Sequence, residues 1–297
     1  MRALSLSIAM ALLAATPAWA QSPQTPSPAG DPYFTAPRAE LQHLMQEHPG
    51  EPMPDNRAAL DAALANDPND LFKLLLTQKN PTQIYLDLNW ERSRIYDGAG
   101  FAVSLAYMMD LWRVAPALPA DPKKVNGDTP DDVRQTAVAF ALYNVAIVSL
   151  DGTRCGDSSA PSHRLDQLAQ IARPIFIYGR GLTAEQKATA IRVALHVERA
   201  TAPVRKDDPI LCSGGLEEIQ QGLAANGNKP IAQSTTPGVV GKTLSVPDAP
   251  GYKPTYVAPE VWWPKQQALR PQLEATFTTI LTPPAPAPSA ASSPAAH

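Results

Sequence analysis

The segment Asp151-Gly-Thr-Arg154-Cys155-Gly-Asp157-Ser-Ser-Ala-Pro161-Ser-His163-Arg164-Leu-Asp166-Gln-Leu168 gathers a thiol, an imidazole, two guanidinium groups and three carboxylates within eighteen residues. The other cysteine, Cys212, stands in Leu211-Cys-Ser-Gly-Gly215. A thiolate forms at neutral pH beside a base or a positive charge, so Cys155 with His163, Arg154 and Arg164 reads as an activated nucleophile. The competing reading is a Cys155–Cys212 disulfide, which an even cysteine set in an oxidising compartment favours. His163 as general acid–base, oriented by Asp157 or Asp166, would serve a hydrolase-like enzyme. Arg154, Asp157, His163 and Arg164 could equally line a pocket for an anion or small solute. A structural network explains the same residues, because Asp, Ser and Arg satisfy turns and helix ends locally.

Other stretches offer less. Asp151 and Asp157 lack the spacing of a calcium loop, and His163 lacks the second histidine of a zinc site, so no metal is expected there. His43, Met45 and His48, with Met53 beyond, are copper-like residue types, but on a helix His43 and His48 point about 140° apart. Arg192, His196 and Arg199 share one helix face, either as a stripe for an acidic partner or as a solvated face interleaved with Glu198. Trp262-Trp263 suits a sugar platform, a partner anchor or a pin for a terminal helix. No P-loop, H-E-x-x-H or G-x-S-x-G occurs, and Gly98-Ala-Gly100 lacks its third glycine at Val103, so no cofactor is expected.

The spacing D-G-x-x-C-x-D-x-S-A-P-x-H-R-x-D-Q-L over Asp151 to Leu168 resembles a family of secreted or periplasmic bacterial helical proteins of unknown function. L-C-x-G-G at Leu211 to Gly215 and W-x-P-K at Trp262 to Lys265 fit it too, and the likeness covers most of 90–281. It implies an exported helical protein and brings no activity to any residue.

The elements that must hold these residues are helical. Thr35 is the expected cap of a helix to His48, Asp55 of one to Ala65, and Asn69 or Asp70 of one to Gln78. Residues Ile84 to Trp90 alternate as a strand would, yet Asn80-Pro81 is a helix start. Gly100 to Val114 and Pro130 to Leu150 are apolar nearly all round and predict two buried helices. Thr129 and Gly152 bound the second, and Thr183 with Gln186 forms a capping box for Ala184 to Ala200. Helices are expected to open at Ser162 and, under a Ser213 cap, at Gly214. The stretch 229–259 reads as an extended, Pro-rich surface segment with a short hairpin near Gly238 to Ser245. A final helix from Trp262 to Leu281 should kink or split at Pro271. The expectation is an all-α, irregular helical bundle over 35–282 with two buried central helices and a C-terminal helix.

The address comes from the ends. Met1-Arg2, the apolar run Leu4 to Ala15 and Ala18-Trp19-Ala20 make a secretory signal peptide, too short to span a bilayer. Residues 21–34 and 283–297 read as disordered Pro-rich tails. Removing Arg2 leaves 24 basic against 28 acidic residues, which argues against nucleic acid as a partner and offers no polybasic membrane patch. No later run is expected to cross a membrane. These features point to a soluble periplasmic or secreted protein. Its expected role is non-catalytic, as a binding or scaffold component of the cell envelope with a protein or small-molecule partner. An enzyme built on His163 is the alternative.

Overall fold

A computed structural model describes residues 31–47, 51–66, 68–77, 80–119, 129–229, 232–234, 243–246 and 249–283. The signal peptide, most of the linker, the C-terminal tail, His48 and the Met45 side chain lie outside the described residues. The chain is all-α. Its helices are α1 (Pro32–Glu47), α2 (Arg57–Asn66), α3 (Pro68–Leu76), α4 (Pro81–Tyr96), α5 (Phe101–Val114), α6 (Pro130–Asp151), α7 (Ser159–Ile171), α8 (Arg173–Gly181), α9 (Ala184–Thr201), α10 (Leu216–Ala225), α11 (Pro259–Leu269) and α12 (Leu273–Leu281). Strands β1 (Ala232–Ser234) and β2 (Thr243–Ser245) form one small antiparallel hairpin, with Gln233 opposite Leu244.

The two apolar helices meet at the centre. α5 buries Phe101, Val103, Leu105, Met108 and Leu111, and α6 is buried without a break from Ala137 to Val148. Asn144, the polar interruption in α6, is fully buried, and its amide donates to the Ser104 carbonyl of α5 (3.1 Å) and to Phe140 O (2.9 Å). The apparent defect in the apolar run is therefore a tie between the central helices. α6 ends one residue beyond the expected Leu150, and the helical span Pro130–Arg154 is long and apolar enough to cross a membrane by length and composition; 72% of its apolar window is buried inside the protein. α4 packs on α5, and α7, α8, α9 and α11 pack on α6.

Local chemistry explains most boundaries. Thr129 forms a full capping box with Asp132, and Thr183 forms one with Gln186; each cap stabilises by about 1 kcal/mol. Asn80 accepts from the Thr82 N–H, and the alternating Ile84–Trp90 stretch is helical, with Trp90 fully buried. Several starts differ from expectation, α11 among them, which begins at Pro259 and not Trp262. α1 begins at Pro32, not after Thr35: Asp31 accepts the Tyr33 N–H, and Phe34 is buried in a cluster with Ala202 and Trp263, so packing extends the helix backward past Pro37. α3 begins at Pro68, ahead of Asn69 and Asp70. α7 begins at Ser159, not Ser162, because Asp157 accepts the Ser159 N–H. α10 begins at Leu216, because Gly214 takes a left-handed φ of +81° and cannot join it. The C-terminal helix splits as Pro271 predicts, with a 3₁₀ turn at Arg270–Gln272 between α11 and α12.

Glycine is required where α4 ends. Gly98 has φ +92°, and a Cβ there would lie 2.4 Å from the Val204 carbonyl oxygen. Gly227 has φ +63° but open space around it. Gly98→Ala should therefore lower unfolding stability by roughly 2 kcal/mol or more, from left-handed strain plus overpacking, while Gly227→Ala costs only about 1 kcal/mol. Urea unfolding followed by circular dichroism measures both; equal losses would contradict the clash.

Candidate functional site

The polar segment after α6 folds as a junction. Cys155 and Cys212 are both buried and joined in a disulfide, with Cα atoms 5.2 Å apart across a sequence separation of 57. The thiol nucleophile is thereby excluded. A disulfide fits an oxidising compartment. Around it the later extended segment is stitched on: Cys155 bridges to Tyr256, Gly156 N–H donates to Thr255 O (2.8 Å) and Val257 N–H donates to Arg154 O (2.8 Å).

The candidate side chains take separate backbone partners. Asp157 accepts from the Ser159 N–H and hydroxyl through one oxygen and from the Glu217 N–H through the other (2.9 Å). Burial pushes its pKa up, but these hydrogen bonds from Ser159 and Glu217 outweigh it and hold the carboxyl below its ordinary value. Ser159 Oγ takes the neighbouring Leu216 N–H (2.7 Å), so α10 is capped by two side chains from α7 and its approach, not by Ser213. His163 lies on the exposed side of α7, with Nδ1 2.9 Å from Gly214 O and Nε2 3.3 Å from Gln167 Nε2. Arg164 donates Nε to Ile210 O (2.9 Å) and Nη1 to Gln167 Oε1 (2.7 Å). Asp166 is exposed. Neither ring nitrogen of His163 meets a carboxylate among the described residues.

Arg154 belongs to another assembly. It is buried, stacks over Trp262 at 4.4 Å, donates to Arg205 O (3.2 Å) and lies 3.8 Å from Asp151. Asp151 in turn pairs with Arg205 (2.6 Å), Arg205 with Glu198 (3.0 Å), and Glu198 with Arg270 (3.5 Å). Burial works against the Arg205 charge, but Asp151, Tyr143 and Glu198 raise its pKa above the ordinary value. Glu198, expected on a solvated face, is 1% exposed. The wheel carries the signal: Ala190, Ala194, Val197 and Thr201 form the buried stripe of α9, and Glu198 falls within it.

A second polar cluster escaped the sequence reading. Asp87 and Glu91, one turn apart on α4, face Asp110 of α5, all three buried. Arg113 binds one Asp110 oxygen at 2.8 Å and Gln83 binds Asp87 at 3.0 Å, while both Glu91 oxygens and Asp110 Oδ2 have no hydrogen-bond partner. Burial, then the neighbouring Asp110 and Asp87 charges, lifts the Glu91 pKa well above normal, and burial lifts Asp110 to about 7 against the pull of Arg113. The legible signal is an acid inside an otherwise apolar helix. Among the described residues no group of three or more His, Cys, Asp or Glu side chains is placed to hold a metal ion.

Two outcomes follow. Asp110, whose pKa is raised on folding, binds its proton more tightly in the folded chain, so its contribution to stability falls as pH rises from about 4 through about 7 and then levels off. Asp110→Asn should remove part of that slope and stabilise the protein above pH 7 by on the order of a few kcal/mol relative to wild type; urea midpoints at a series of pH values test this, and an unchanged slope would refute it. Reduction of the disulfide should lower stability by about 4 kcal/mol on the chain-entropy account. Thiol reagent should label Cys155 and Cys212 only after reduction.

Searched against family models, curated proteins and solved structures, the chain matches none of them.

Proposed function

We propose that this chain is an exported, non-catalytic binding or scaffold component of the cell envelope, working in the periplasm or outside the cell after its signal peptide is removed. The observation that carries the reading is the spending of the polar loop on structure. His163, Arg154 and Arg164 each bond a backbone carbonyl, Asp157 caps two helices, and Cys155 is held in a disulfide. The residues that offered catalysis are consumed in joining α6, α7 and α10. Kinship with secreted helical proteins of unknown function belongs to the same proposal and rests on the spacing from Asp151 to Leu168. The partner is a protein or small molecule of the envelope, not nucleic acid.

Fractionating a bacterial host that expresses the full chain tests the address. The mature protein should be found outside the cytoplasm with Gln21 as its first residue by intact mass. Cytoplasmic retention with Leu4 to Ala15 still attached would overturn it.

A further inference from the structure

α9 and α12 enclose an open groove of about 600 Å³, within the size range of specific ligand sites. Its floor is apolar, formed by Ile191 and Leu195. Lys187, Arg192, His196 and Arg199 line it from α9, and Glu274 and Thr278 from α12. In a chain with more acidic than basic residues, that is a local excess of positive charge.

The ion network explains why the excess persists. Glu198 is the acid on this stretch of α9, and its carboxylate is turned inward to Arg205 and Arg270. It therefore cannot neutralise the stripe beside it. Among the described residues none of Lys187, Arg192, His196 or Arg199 has a carboxylate within ion-pair distance. Arg192 makes its hydrogen bond to the neutral Thr189 hydroxyl (3.0 Å). Arg199 stacks on Tyr33 of α1 at 4.8 Å, which fixes the guanidinium at the groove's end, and its Nε is buried without a partner.

We infer that this groove binds an extended acidic peptide segment of a partner protein, an inference that rests on reading the chain as a binding protein and names its ligand class. From Lys187 to Arg199 the helix rises about 18 Å, the reach of five or six residues in extended form. Successive side chains of an extended segment alternate sides. Acidic side chains would then meet the cationic rim while apolar ones settle on Ile191 and Leu195. The apolar floor, which Ala184 and Ala188 extend, carries cations on both edges: Arg192, His196 and Arg199 on one, and Lys187, about 140° round the helix from Arg192, on the other, so several anionic groups suit it better than one. Glu274 on the far wall would accept peptide N–H groups and disfavour a densely charged polyanion.

The probe is a fluorescein-labelled peptide alternating Glu and Leu, followed by anisotropy on the full mature protein. Saturable binding is expected, weakening with added salt. The double variant K187E/R192E, with Lys187 half-buried and Arg192 exposed, checked for unchanged helicity, should lose at least about tenfold in affinity. A peptide alternating Lys and Leu should not bind. No binding of the acidic peptide, or equal binding by the double variant, overturns the proposal. So does a loss confined to His163→Ala, which would move the binding surface to α7 and leave the broader reading standing. Groove-dependent binding to phosphatidylglycerol vesicles but not to the peptide also overturns it. Cleavage of the peptide, read by mass spectrometry, with groove-dependent binding intact would support the groove and overturn the non-catalytic reading.

Discussion

Arg205 is buried where α6, α9 and α11 meet, and its guanidinium holds Asp151, Glu198 and the Thr201 hydroxyl at once. Gln266 of α11 donates to Leu150 O at the end of α6, and accepts from Arg270, which reaches back to Glu198. Against well-packed apolar residues such a cluster adds little net stability. Its effect is to penalise every arrangement that leaves one charge alone in the interior, at several kcal/mol each. The end of α6 is therefore fixed relative to α9 and to the C-terminal helices. The aromatic cluster of Phe34 and Trp263 closes over Arg270, with ring contacts at 4.8 and 5.2 Å. The disulfide loop departs from this fixed point, since Asp151 ends α6 and Arg154 ends the 3₁₀ turn that leads to Cys155.

How much of this was legible depends on the range of the interaction. The buried helices α5 and α6 are readable because their apolar residues leave no polar face. The capping boxes at Thr129 and Thr183 are readable because donor and acceptor lie three residues apart. Cys155 and Cys212 pair because there are two of them. What the sequence hides is the long-range use of polar residues. Ser213 looks like a cap, but α10 takes its caps from Asp157 and Ser159, nearly sixty residues upstream. Glu198 looks solvated until its place on the buried stripe of α9 is weighed against its charge. Asp110 disappears inside an apolar run, though its burial beside Glu91 makes it one of the most perturbed groups in the protein.

The two polar interiors are opposites. Around Arg205 each charge has a counter-charge, and hydrogen bonds satisfy the guanidinium on several sides. Among the described residues around Glu91, three carboxyls face the partly exposed Arg113, and neither Glu91 oxygen has a hydrogen-bond partner. One interior is held by ionisation and the other by staying protonated. Acidification therefore relieves the α4–α5 contact.

The disulfide has a further consequence for how the molecule matures. Cys155 and Cys212 are the only cysteines in the chain, so oxidation within one molecule has a single possible product. Such a chain calls for an electron acceptor and has no use for an isomerase to shuffle wrong pairings. The same crosslink draws the start of α10 to the carboxylate and hydroxyl that cap it, so covalent closure also brings that helix to its caps.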